Sequence, residues 1–152
     1  MDKLNGKRIN LPSGATAWWP CHVSSNDIGT GTNIGALSHI GRNVTIGSDC
    51  RIQGGAYVAD SSIIGDRVFI GPNATITNDR FPPSNGKWQP VVIDSDVVIG
   101  AGSTIVAGTK IGKNSVVAAG AVVTNDVEEN VVVSGCPAAF MMHRDEYERR
   151  RA

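Results

Sequence analysis

Between residues 28 and 76 an aliphatic side chain recurs at every sixth position: Ile28, Ile34, Ile40, Ile46, Ile52, Val58, Ile64, Ile70 and Ile76. A period of six matches neither one face of an α-helix nor the alternation of a single strand. Four residues after each anchor stands a small or compact side chain, Thr32, Ser38, Val44, Cys50, Ala56, Ser62, Val68 and Ala74. Glycine follows the anchor directly at Gly29, Gly35, Gly41, Gly47, Gly65 and Gly71. Such a pattern specifies a parallel β-helix, in which each unit is one short strand and each corner takes a small residue or a glycine. The anchors then stack coil upon coil into a linear core, and no coil can bury its apolar face alone.

The register resumes at Ile93, Ile99, Ile105, Ile111, Val117 and Val123. Ile93 lies 17 residues beyond Ile76, one short of three repeats, so a segment is looped out. One further unit over residues 76–81 leaves 82–92, PPSNGKWQPVV, as an insertion with Asn85-Gly86 at its tip. The expected organisation is a single all-β domain over 1–152 with an N-terminal cap at 1–27 and coils at 28–81 and 93–128, about five in all. The loop at 82–92 protrudes from near residue 78, and a C-terminal loop and short helix occupy 129–152.

Lys plus Arg and Asp plus Glu number 14 each, which argues against a nucleic-acid partner recognised through charge. Cys21, Cys50 and Cys136 have no metal-ligand spacing and suggest no disulfide framework. No apolar run is long enough for a leader or a membrane span, so a cytoplasmic location and no membrane partner are expected. A metal-dependent β-helix enzyme would need three histidines on the coil walls, whereas the repeats and their lead-in carry His22 and His39 only; no metal is expected. Gly29, Gly31 and Gly35 are repeat glycines and not a dinucleotide fingerprint.

Several residues admit two readings. Trp18 and Trp19 cover the open end of the solenoid, or one ring meets a ligand. His39 is an outer-wall or subunit-contact residue, or a general base. Asn78, Asp79 and Arg80 are turn formers, or a polar site where the chain leaves the coil. Arg149, Arg150 and Arg151 are a solvated tail, or they meet a phosphate.

The hexapeptide pattern over 28–128, with the loop and the ending VVSGCPA, resembles the left-handed β-helix acyltransferases. Within them FIGPNATITNDRFP, 69–82, is similar to a segment of the nucleotide-linked sugar 3-N-acetyltransferases, with Gly71, Pro72, Thr77, Asn78, Asp79, Arg80 and Pro82 in place. Ile52-Gln53, AAGAVVTNDV at 118–127 and the Trp18 to His22 spacing are similar too. The chain departs from that pattern at Gly54 and Gly55, at Pro83, in a shorter loop, and at Cys136 and Ala139.

The resemblance implies a left-handed coil, a homotrimer with sites between subunits, acetyl-CoA as cosubstrate and a nucleotide-linked amino sugar as acceptor. It implies Asn78 and His39 as catalytic residues, and Gln53, Asp79, Arg80 and Phe81 as substrate contacts. Acetyl-CoA would run past Ala101, Gly102, Ala119 and Gly120, with Lys113, Gly135, Cys136 and Pro137 toward its nucleotide end. Asn78 can act by orientation alone, because a thiolate leaving group with a pKa near 8.5 needs no strong base. A hydroxyl acceptor would instead require His39 as base, and a non-catalytic binding solenoid is the third reading.

Overall fold

The computed structural model describes residues 6–152; residues 1–5 of the expected N-terminal cap lie outside them. The strands form three sheets, the walls of a triangular prism. Asn33–Ile34, Arg51–Ile52, Phe69–Ile70, Val98–Ile99 and Val116–Val117 run up the first wall. His39–Ile40, Tyr57–Val58, Thr75–Ile76, Thr104–Ile105 and Val122–Val123 run up the second. Thr45–Ile46, Ile63–Ile64, Val92–Ile93 and Lys110–Ile111 make the third.

Pairing is parallel and in register between coils, with Ile34 beside Ile52, Ile52 beside Ile70 and Ile70 beside Ile99. The strands just named are two residues long, and each turns its second side chain inward. The anchors Ile34, Ile40, Ile70, Ile76, Ile99 and Ile105 are fully buried in one continuous core. The compact residue before each wall is buried too, and where it is Ser or Thr its hydroxyl closes on a backbone carbonyl, as Ser62 does on Ala59 at 2.7 Å and Ser103 on Gly100 at 2.7 Å.

Corners divide their geometry between two positions. The glycine after an anchor is required by close approach: a Cβ on Gly71 would fall 2.6 Å from the Ala101 nitrogen of the next coil. Left-handed φ is adopted two residues later, at Leu37, Asn43, Asp49, Ser61, Arg67, Asn73, Asp96 and Asn114. Asn and Asp tolerate that conformation through short polar side chains. The anchor-plus-one glycine therefore serves packing, and the tight turn belongs to the residue at anchor plus three.

The boundaries differ from the expected ones at three places. The coil begins before residue 27: Thr16–Trp19 and His22–Val23 are strands of the first and second walls, with Ala15 and Ala17 in the core. The antiparallel strand Lys7–Asn10 adds to the end of the first wall by pairing with the strand that carries Trp18 and Trp19, which are 38% and 57% exposed. The expected loop at 82–92 ends early, because Val91 is fully buried and Val92–Ile93 already pairs with both neighbours on the third wall. At the other end, 129–152 is more than loop and helix. Val131–Ser134 continues the first wall, Ala139–His143 returns antiparallel to it, and only then does the helix Arg144–Arg151 follow. Counted on the first wall, the parallel stack has seven levels, those at Thr16, Asn33, Arg51, Phe69, Val98, Val116 and Val131, and not five.

Candidate active site

The corner between the first and second walls is unlike the other two. Going up it, residues 53–55, 71–73, 100–102 and 118–120 stack, with the Gly102 N–H donating to the Pro72 carbonyl at 3.0 Å and the Gly120 N–H to the Ala101 carbonyl at 2.9 Å. The turn at Gly135, Cys136 and Pro137 sits on top: Val122 donates to the Gly135 carbonyl at 2.9 Å, and Ala138 donates to the Val122 carbonyl at 2.8 Å. Every side chain offered at 100–102 and 118–120 is a methyl or a hydrogen. A Cβ built on Gly102 or Gly120 would meet nothing within 4 Å.

That bareness leaves backbone donors open. At the other corners some N–H groups at anchor plus two close on a side chain of a neighbouring coil, Arg42 on Asp60 at 2.8 Å, Ser48 on Asp66 at 2.8 Å, Asp66 on Ser95 at 2.9 Å and Ala107 on Thr77 at 2.9 Å, while those of Thr30, Asp60, Ser95 and Lys113 do not. Ala101 and Ala119, at the same position of the first corner, have no acceptor among the described residues. Unpaired N–H groups one coil apart, beside open space, form a strip that can receive the amide carbonyls of an extended ligand. Gly102 and Gly120 supply the room and Ala101 and Ala119 the donors.

The second wall carries the titratable column. His22, His39 and Tyr57 point outward and stack face to face, with ring centroids 4.6 Å apart at both steps and planes within 12°. The His22 ring meets the Ser24 hydroxyl at 2.6 Å. Burial pushes the His39 imidazole below its ordinary 6.5, the neighbouring His22 pushes the same way, and Asp60 opposes them.

At the corner between the second and third walls, Arg42, Asp60 and Asn78 follow one another at 18-residue spacing. The Asp60 carboxylate accepts the Arg42 backbone N–H at 2.8 Å and its guanidinium at 2.7–2.8 Å. Partial burial opposes its ionisation, but the Arg42 contacts prevail and hold the carboxyl below the usual range. The Asn78 side-chain amide makes a long contact of 3.5 Å to the Asp60 carbonyl. Its own carbonyl accepts the Gln89 N–H at 2.6 Å, which closes the neck of the loop.

Of the sequence-derived candidates, Ala101, Gly102, Ala119, Gly120, Gly135, Cys136 and Pro137 share the first corner, with Gln53 three coils below Ala118. His39 stands on the second wall and Asn78 at its far edge. Lys113 is not among them. It lies at the corner between the third and first walls, where its carbonyl accepts the Asn130 N–H at 3.0 Å.

Arg80 is also reassigned. Its two terminal nitrogens donate to the carbonyls of Ala107 and Thr124, each at 2.9 Å, so it bolts the loop to the two coils above and is not a free phosphate contact. Asp79 accepts the Ser84 N–H at 3.0 Å inside the loop, and Phe81 projects into solvent. Arg149, Arg150 and Arg151 each pair with Asp145, Glu146 or Glu148 of their own helix, the solvated-tail arrangement. Sequence reasoning missed Arg42, Asp60 and Tyr57. The signal was the coil period of 18, which places Asp60 midway between Arg42 and Asn78 and Tyr57 directly above His39.

A groove of about 640 Å³ flanks the strip, between Phe69, Val98 and Val116 of the first wall and Tyr147 of the C-terminal helix. No helix among the described residues is long and apolar enough to cross a membrane.

Residues 27–60 and 43–78 match the family described as bacterial transferase hexapeptide (six repeats), and 90–125 match the hexapeptide repeat of succinyl-transferase. A 2,3,4,5-tetrahydropyridine-2,6-dicarboxylate N-acetyltransferase of Clostridium perfringens is 47% identical over 79 residues, 52% of this chain but 32% of that protein. The chain thus aligns with about a third of the length of such relatives. WeeI of Acinetobacter baumannii superposes with a TM-score of 0.69 at 26% identity, covering 85% of this chain and 56% of WeeI. PerB of Caulobacter crescentus, solved in complex with CoA and GDP-perosamine, superposes with a TM-score of 0.65 at 23% identity, covering 86% and 55%. With the period of six, the three-walled stack and these matches in agreement, the chain belongs to the hexapeptide-repeat acyltransferase family of left-handed parallel β-helices.

Proposed function

We propose that the protein transfers an acetyl group from acetyl-CoA to the amine of a nucleotide-linked amino sugar, as a homotrimer in the cytoplasm. The observation that carries this reading is the first corner, where the open N–H groups of Ala101 and Ala119 face space kept clear by Gly102 and Gly120. A pantetheine arm has two amides, and a strip of regularly spaced backbone donors with no side chain in the way suits it. The turn at Gly135, Cys136 and Pro137 closes the upper end, where the nucleotide of CoA would lie. The PerB complex with CoA and GDP-perosamine supports both the cosubstrate and the acceptor class.

In the reaction, the neutral amine attacks the thioester carbonyl, the C–N bond forms, and the oxyanion is met by a backbone N–H such as that of Ala101. Collapse breaks the C–S bond, and the thiolate takes the proton the amine gives up. Asn78, at the far edge of the second wall, would come from the neighbouring copy of a trimer and accept from the acceptor amine through its side-chain oxygen, holding nitrogen and carbonyl in line. Gln53, Asp79 and Phe81 are proposed to frame the sugar. In a trimer, the cleft between copies would bring the first corner of one against the second wall of the next.

A second reading has its own observation. Burial and His22 push the His39 imidazole toward its neutral form, the form a base needs to deprotonate a sugar hydroxyl. Free-thiol release from acetyl-CoA across nucleotide-linked 3-amino, 4-amino and fully hydroxylated sugars tests both. Turnover with an amino sugar, lost about 10²-fold in Asn78→Ala, is expected. Turnover with a hydroxylated sugar alone, abolished in His39→Ala, would replace the first reading by the second.

A further inference from the structure

We infer that the N-terminal half of the first wall holds the nucleoside diphosphate of the acceptor, with Trp19 as a platform for the base and Arg8 and Arg51 as partners of the phosphates; the inference rests on the acceptor class proposed above. A nucleotide-linked sugar brings two phosphates that need cations, and the arginines expected to meet them are engaged elsewhere. Arg80 is tied to two carbonyls, and Arg149, Arg150 and Arg151 to the carboxylates of their own helix. Arg42, Arg67 and Arg144 are in ion pairs as well. Among the described residues Arg8 and Arg51 are the arginines left with neither a carboxylate nor a carbonyl.

Those two arginines share one face. Ala17 is buried in the core, so its neighbours Thr16 and Trp18 turn outward on the first wall. Arg8 is the cross-strand partner of Trp18, and Thr16, Asn33 and Arg51 stand in register on successive strands. Arg8 and Arg51 therefore sit three strands apart, about 14 Å at the backbone, and both are exposed. The face between them carries Thr16, Trp18 and Asn33 and no carboxylate. Two guanidinium groups reaching inward from either side of such a face suit one diphosphate, since each offers a planar fork of donors to phosphate oxygens.

Trp19 lies beside that face, at the foot of the first corner, and is more than half exposed. Its cross-strand partner Lys7 adds a further cation with no ion pair among the described residues. Going up the corner, the position of Trp19 is filled by Ala36, Gly54 and Pro72 before Ala101 is reached, so no long or aromatic side chain at that position separates the indole from the donor strip. Ala101 is four coils above Trp19, about 19 Å, room for a base, a ribose, two phosphates and a hexose laid end to end. Arg51 falls at the level midway between them, where the diphosphate of such a ligand comes. Leu37 flanks the indole, with its N–H on the Pro20 carbonyl at 2.6 Å and a left-handed φ of 64° held in spite of exposure. Backbone strain of that kind gathers at ligand sites.

Calorimetric titration of UDP, dTDP and GDP into the intact protein, with neither sugar nor CoA present, tests the site. Saturable binding of at least one is expected, weakened about tenfold or more in Arg8→Ala and in Arg51→Ala, each of which loses a charge-assisted contact. Trp19→Ala weakens the same nucleotide about tenfold, and Arg149→Ala binds it as the parent does. Acetyl-CoA at saturation leaves the nucleotide affinity unchanged. Displacement of the nucleotide by acetyl-CoA would hand the site to the diphosphate of CoA and overturn the assignment. So would no binding of any of the three, or equal affinity in the parent and both arginine variants. Should Trp19→Ala fail to fold, the exposed Arg8 and Arg51 carry the test alone. Turnover separates the two inferences: an amino sugar acetylated with the same KM by Arg51→Ala and by the parent would overturn the site and leave the acceptor class standing. Nucleotide binding as predicted, with no amino sugar turned over, would count against the acceptor class and leave the site standing.

Discussion

Leu37 shows how far single residues depart from what the coil prefers. It takes a left-handed φ of 64° while 73% exposed, at a corner position filled elsewhere by Asn, Asp or Gly except at Ser61 and Arg67. A branched apolar side chain in that region costs about 1 kcal/mol relative to Asn, which bonds locally to its own backbone. Leu37→Asn is therefore expected to raise unfolding stability by roughly 0.5–1 kcal/mol, read as a higher urea midpoint at unchanged slope. A lower midpoint would show that Leu37 is held by contacts outside a single chain. Gly71→Ala should act the other way, since its Cβ would fall 2.6 Å from the Ala101 nitrogen, and a loss of more than about 2 kcal/mol is expected. Wild-type-like unfolding of Gly71→Ala would mean that the coils can spread apart at that corner.

His39 brings a pH dependence at the same scale. Its imidazole is depressed below 6.5 in the folded chain, so the unfolded chain binds more protons as pH falls through that value. The sign follows: stability contributed by neutral His39 is present above the unfolded value and declines as pH drops below it. Under the hydroxyl reading, kcat/KM would fall over the same acidic limb. Under the amine reading the acidic limb comes from protonation of the acceptor, and it survives in His39→Gln.

Among the elements, the loop and the two ends separate what could be read from the letters and what could not. The six-residue period located the walls, the inward anchors and the place where chain leaves the coil, because each is a local consequence of one buried side chain per strand. It did not reach the first coil. Ala17, Val23 and Ile28 are spaced six and then five apart, so the register slips by one just where His22 comes to stack under His39. It also misjudged the return from the loop, because Val91 and Val92 are as apolar as any anchor and only their pairing shows that the wall has resumed.

The candidate site was legible where bareness is a sequence property, as in Ala101, Gly102, Ala119 and Gly120. It was illegible where function depends on what stacks on what. The Arg42, Asp60 and Asn78 column requires knowing that a coil is 18 residues long, and the role of Arg80 requires knowing which carbonyls lie above it. Arg80→Ala tests that element directly. Losing two charge-assisted hydrogen bonds to Ala107 and Thr124 should cost about 2–4 kcal/mol and increase proteolysis within 79–88. A loop that resists protease as well as the parent would place its anchor elsewhere.

At the scale of the whole molecule, the prism divides its labour. The interior is one aliphatic column from Ala17 to Val133, and two corners knit coil to coil with carboxylates and hydroxyls. The first corner offers no such side chain at 100–102 and 118–120 and leaves the Ala101 and Ala119 N–H groups facing solvent beside glycines. Ser95 and Lys113 leave the same N–H open at another corner, so what sets this corner apart is its want of side chains, and donors beside space kept clear by glycines can receive a ligand. Calorimetric titration of acetyl-CoA into the protein and into Gly120→Val measures that claim most directly, with circular dichroism confirming an unchanged β-helix in both. Saturable binding to the parent and at least tenfold weaker binding to Gly120→Val are expected; equal affinity for the two, or no binding to the parent, would contradict an acyl-CoA strip at this corner.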